Sequence, residues 1–242
     1  MQYAGLGFIF LMTCLGSATV FFLGRKGGAE KIFMGFAAGV MIAAAVWSML
    51  IPAVEVSTEQ GKIGWLIAAL GLLFGALFLY VMDKGVTRLS SQKRGNSWLL
   101  FTAITLHNVP EGLVVGLSFA MAAENPALMP SAIAIATGIG IQNFPEGASV
   151  SLPLRQAGYN PWKAFGAGCI SGAVEPIFGL FVYLAAGFFA QLMPWLLAIS
   201  AGAMLYVVIN ELIPRVQGGR YSLGTFSVLV GFVMMMALDL AF

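Results

Sequence analysis

Apolar residues in this chain fall into eight long runs separated by short polar connections. An α-helix needs roughly 20 apolar residues to cross a bilayer, so the runs predict helices over about 3–23, 32–54, 63–82, 98–121, 129–153, 164–187, 193–215 and 222–241. The expected fold is an all-α, polytopic membrane bundle of eight transmembrane helices, forming a single transmembrane domain over 1–242. The connection 83–97 is the one long polar, Ser-rich interruption. Ser48-Met-Leu-Ile-Pro52 in the second helix is echoed by Asn210-Glu-Leu-Ile-Pro214 in the seventh. The two helices run in opposite directions across the membrane, which suggests an inverted repeat of helices 1–3 and 6–8 around helices 4–5.

Composition agrees with lipid as the solvent. The chain is 60% hydrophobic and 9% charged, against about 25% charged in a soluble domain. Of its 12 Lys and Arg residues, all but Lys62 fall in the connections after helices 1, 3, 5 and 7. That one-sidedness places those connections in the cytoplasm and both termini outside it. No basic residue precedes the first run, while Arg25 and Lys26 follow it. This order is the reverse of a signal peptide, so the first run is expected to be a retained helix. Cys14 and Cys169 form no CxxC pair and do not indicate a redox compartment. Gly35/Gly39 and Gly71/Gly75 have GxxxG spacing, a weak signal of close helix contact.

The polar residues inside the runs change the picture. Glu111, Glu146 and Glu175 lie near mid-span with no Lys or Arg at their depth. A charge there costs about 2.5–3.5 kcal/mol on insertion scales, so the three need protons or a bound cation. His107, the single histidine, precedes Glu111 by four residues and shares its helix face. Gln142 and Glu146 repeat that spacing, and Asn108 and Asn143 follow the first member of each pair. Imidazole and carboxylate donors without thiolate suit an exchangeable Zn²⁺ or a first-row neighbour. Pro110 and Pro145 withhold an N–H from the carbonyls of Leu106 and Ile141, which puts freed backbone oxygens beside these side chains. A lone buried His is more often a hydrogen-bonded core residue, and a lone Glu a neutral packing group. Two copies of the pattern and a third mid-span Glu favour a cation site.

The segments His107-Asn-Val-Pro-Glu-Gly112 and Gln142-Asn-Phe-Pro-Glu-Gly147 resemble the most specific motifs of the ZIP (Zrt/Irt-like protein) divalent-metal transporters. The Gln that opens the second motif is similar to the bacterial GufA-like branch. The resemblance implies zinc uptake into the cytoplasm by a multi-pass protein of the bacterial inner membrane. It implies a metal site of His107, Asn108, Glu111, Gln142, Asn143, Glu146 and Glu175, with Met41 beside a second position. Asn143 stands where some members have Asp, which weakens that second position. Ser48 and Glu55 are expected on the outer part of the ion path, Asn210 and Glu211 on the cytoplasmic part. The ions expected are Zn²⁺, with Fe²⁺, Mn²⁺, Co²⁺ or Cd²⁺ as alternatives, in a bilayer-embedded chain that can form a homodimer. No catalytic cofactor and no nucleic-acid partner are expected. The chain lacks a His-rich connection between helices 3 and 4, which puts metal sensing there in doubt. The rival readings are a proton-coupled carrier of a small organic solute, a metal-selective channel and an intramembrane enzyme. A zinc protease would need two histidines around a Glu, so no enzyme is expected.

Overall fold

The computed structural model describes residues 1–23, 28–89, 96–185, 187, 190–216 and 223–241. Within these, the side chains of 28–30, 86–89, 96–100, 102–104, 106, 107 and 190 lie outside the description. Every regular element among the described residues is helical, as expected where lipid offers no partner for free backbone groups. The elements are α1 (Gln2–Ser17, ending in a 3₁₀ turn Ala18–Phe21), α2 (Gly28–Ala44), α3 (Ile51–Glu59), α4 (Gly64–Leu89) and α5 (Asn96–Glu124). After them come α6 (Met129–Gln156), α7 (Pro161–Leu184), α8 (Met193–Val207), α9 (Ile213–Val216) and α10 (Leu223–Ala241). A π-helical segment, Ala45–Leu50, joins α2 to α3 in one span, and another, Val208–Leu212, joins α8 to α9.

These make eight spans, seven of which meet a length and hydropathy criterion for crossing a membrane. The eighth, α5, carries the first motif and threads the same bundle. The ends differ from the sequence expectation. The second span runs on to Glu59, α4 to Leu89, and α5 starts at Asn96, so the described ends of the long polar connection 83–97 are helix. Lys, Arg, Ser and Glu are tolerated in helical turns that leave the apolar layer, so polarity marks the membrane boundary and not the helix end.

Both π segments precede the repeated Leu-Ile-Pro. Pro52 and Pro214 have no N–H to donate to the carbonyls of Ser48 and Asn210, and a wider turn is one way to re-route that bonding. Such bulges concentrate at functional sites.

Two sets of helices are packed within themselves. In one, α1 packs on α6 and α7, and α5 on α7; in the other, α2 packs on α10 and α4 on α8. Contacts of α2 with α6 and of α5 with α8 join the sets. Close approach explains both GxxxG pairs. A Cβ on Gly39 would meet the Val228 carbonyl of α10, and one on Gly75 would meet the Ile199 carbonyl of α8. Cys14 and Cys169 are free thiols.

Candidate functional site

The polar centre lies where α5, α6 and α7 meet α1. Asn108, Glu111, Gln142, Asn143 and Glu175 are completely buried and Glu146 nearly so. The helices continue through Pro110, Pro145 and Pro176. Glycine lets the helices close on the centre: a Cβ on Gly112 would strike the Glu175 backbone, and one on Gly147 the Thr13 carbonyl.

The hydrogen bonds orient the amides. Gln142 Nε2 donates to Glu111 Oε1, and Asn108 Nδ2 donates to the Ser171 carbonyl at 3.0 Å. Asn143 Nδ2 donates to Glu175 Oε2 and, at 3.2 Å, to the Ile9 carbonyl. Thr13 Oγ1 donates to Glu175 Oε1 at 3.3 Å. Each amide nitrogen faces groups that accept, which fixes which end of each amide is oxygen. The three amide oxygens, Asn108 Oδ1, Gln142 Oε1 and Asn143 Oδ1, are buried without a donor. Glu175 lies within electrostatic reach of Glu111 and Glu146. The arrangement therefore concentrates oxygen acceptors and carboxylates at the middle of a membrane bundle. Among the described residues, no three His, Cys, Asp or Glu side chains stand close enough to enclose an ion. Amide hydrogens of Gln142 and Asn143 are bound to Glu111 Oε1 and Glu175 Oε2.

The remaining expected residues separate. His107 lies on α5, with its side chain outside the described residues. Met41 is completely buried in the apolar core of α2. Ser48 and Glu55 line a vestibule of about 340 Å³ together with Glu59, Ser118, Asn125 and Ser131. Val114 also lines it, three residues and so about 4.5 Å along α5 from Glu111. Asn210 is exposed and donates to Glu211 at 3.1 Å. Glu211 also has a charged partner. Arg215, one turn on, forms an ion pair with it at 3.2 Å.

Two partners escaped the sequence reading. Thr13 of α1 reaches Glu175, and Asp239 of α10 accepts a 2.8 Å hydrogen bond from Ser48 Oγ, with its Oδ2 buried and lacking a donor. Asp239 had a signal, being an acidic residue inside the last apolar run. It stands close to the expected end of that run, where a charge is usually solvated. Thr13 had none.

The fold and this centre define a polytopic helical membrane protein with a buried, acceptor-rich polar site. Residues 88–239 match the family described as ZIP Zinc transporter. The chain is 35% identical to "Zinc transporter ZIP11" of Xenopus tropicalis, over 94% of this chain and 93% of that one. It is 39% identical to "Zinc transporter GufA" of Myxococcus xanthus, over 81% and 80% of the two chains. To "Zinc transporter ZIPB" of Bordetella bronchiseptica it is 34% identical, over 88% and 71%. The chain belongs to the ZIP family.

Proposed function

We propose that the chain carries Zn²⁺ and related divalent cations through the membrane into the cytoplasm, using the polar centre as its binding site. The observation that carries the reading is the set of three buried amide oxygens, all turned away from the groups their nitrogens bind, beside three carboxylates. A cation supplies what those oxygens lack, and buried polar groups left without partners are otherwise costly. Glu111, Glu146 and Glu175 offset the ion's charge, with Asn108, Gln142 and Asn143 contributing oxygen and His107 nitrogen. Binding requires the Gln142 and Asn143 side chains to yield the carboxylate oxygens they now bond. Met41 is the thioether closest in sequence logic to a second position, and Asn143 makes that position the weaker. The chain is not an enzyme: its relatives are named as transporters.

The vestibule and the Ser48–Asp239 pair form the outer part of the path, with Glu55 at the mouth. Asn210 and Glu211 form the inner part, where the Arg215 pair must open for an ion to be handed on. The direction rests on the Lys and Arg distribution, which assigns the vestibule end to the outside. The two π segments before Leu-Ile-Pro, and the matching α2–α10 and α4–α8 pairings, support an inverted repeat of the outer helices around α5 and α6.

Uptake of radioactive zinc into proteoliposomes, competed with Fe²⁺, Mn²⁺, Co²⁺ and Cd²⁺, tests this reading; zinc flux equal to that of empty vesicles would overturn it. Imidazole and carboxylate must be deprotonated to ligate metal. Zinc affinity measured by calorimetry is therefore expected to fall as the pH drops from neutral to mildly acidic; a constant affinity would argue against these ligands. Asp239→Asn and Ser48→Ala are expected to raise the half-saturating zinc concentration several-fold and to leave the maximal rate closer to wild type. Unchanged half-saturation in both would remove the pair from the path.

A further inference from the structure

An apolar groove of about 550 Å³ lies between the two helix sets. Met12 of α1 and Phe144 of α6 form one wall; Phe33 and Phe36 of α2, with Phe226 and Val230 of α10, form the other. The Phe33 and Phe144 rings meet across it, with centroids 6.1 Å apart. Ser227 is the one polar lining residue, and its hydroxyl is turned to the Gly224 carbonyl at 2.6 Å. The groove extends along α10 from Leu223 to Val230, about 10 Å of helix. That length takes part of an extended acyl chain.

Its mouth is marked by charge. Leu223 and Ile32 line the end where α2 and α10 begin, and both are exposed. Lys31, also exposed, directly precedes Ile32. Its carbonyl lies 3.2 Å from where a Cβ on Gly224 would stand, so the start of α2 touches α10 at this point. Along the sequence, the segments leading to this end hold Arg25, Lys26, Lys31 and Arg220 against Glu30. A cation at the mouth of an apolar slot matches a phosphate above a hydrocarbon tail, and juxtamembrane Lys and Arg attract anionic lipid.

We propose that this groove is a binding site for one anionic phospholipid of the Lys- and Arg-rich leaflet. One acyl chain lies between the two helix sets, and the phosphate lies against Lys31. Because Phe144 and Pro145 line the groove and interrupt the second motif between Asn143 and Glu146, the chain in the groove backs the helix that holds half the polar centre. The site needs no assumption about what the polar centre carries.

The test uses the full chain in nanodiscs doped with phosphatidylglycerol or phosphatidylcholine carrying a diazirine on one acyl chain, followed by peptide mapping. Labelling is expected to concentrate on 32–36 and 226–230, about fivefold stronger from phosphatidylglycerol. Lys31→Gln is expected to abolish the headgroup preference and Lys31→Arg to keep it; neither alters packing. Val230→Trp, which fills the slot, is expected to reduce labelling of 32–36 and to leave the lipid-facing Leu73–Phe78 surface of α4 unaffected. Labelling of the groove no stronger than that of α4 would overturn the site. Equal labelling by both lipids, indifferent to Lys31→Gln, would overturn the anionic assignment.

Discussion

Glu111→Ala and Glu146→Ala are each expected to abolish zinc uptake while the protein still reaches the membrane. Both carboxylates are buried at the centre of the bundle, being 0% and 2% exposed. A divalent ion there needs at least two negative charges at close range. Removing one takes away a buried partner of the ion, and breaking a buried ion pair in this way costs about 3–5 kcal/mol. That energy is a loss of about a hundred- to several-thousand-fold in binding. The fold bears the change more easily. Glu111→Ala leaves the Gln142 amide without its acceptor, a penalty of about 1–3 kcal/mol, spread over a bundle held by many other helix contacts. Glu111→Gln separates charge from shape: it keeps the side-chain volume and is expected to be as inactive as Glu111→Ala. Membrane abundance by immunoblot and ⁶⁵Zn uptake in vesicles measure both parts. Uptake near wild type by any of the three variants would remove the polar centre from the transport path.

The parts of the molecule visible in the sequence are those where lipid leaves no choice. Backbone groups in hydrocarbon must bond within their own segment, so eight apolar runs give eight helical spans. The cost of intramembrane carboxylates likewise singles out Glu111, Glu146 and Glu175, all buried at one centre. Pairings between helices were not visible. Four-residue spacing places His107 with Glu111 and Gln142 with Glu146, one pair per helix. The structure instead brings Gln142 of α6 across to Glu111 of α5, and Asn143 across to Glu175 of α7. Helix rotation decides those contacts, and it follows from packing at Gly112 and Gly147 that periodicity does not encode. Thr13 and the carbonyls of Ile9 and Ser171 enter the same network from residues with no charge to draw notice. The partner of Glu211, by contrast, was within reach of the sequence. Arg215 is only four residues away, a spacing that places two side chains on one helix face.

Gly112→Ala has the second-largest expected effect, and it acts through packing alone. The Cβ would overlap the Glu175 backbone, which belongs to a rigid helix and cannot turn aside as a side chain would. The two helices α5 and α7 must then separate at the depth of the polar centre. Overpacking of this kind typically costs about 1–3 kcal/mol. The functional loss is expected to exceed the stability loss, because separation moves Glu175 away from Glu111, and a displacement of about 1 Å can lower activity roughly hundredfold. Gly147→Ala repeats the experiment on the other side, where the Cβ meets the Thr13 carbonyl and α1 must withdraw from α6. Gly7 and Gly166 supply the controls: a Cβ on either has no neighbour within 4 Å, so Gly7→Ala and Gly166→Ala should match wild type in thermal unfolding and in uptake. If Gly112→Ala matches wild type as closely as these controls do, then α5 and α7 do not meet at Gly112, and the helix rotation that brings Glu111 and Glu175 to one centre is wrong.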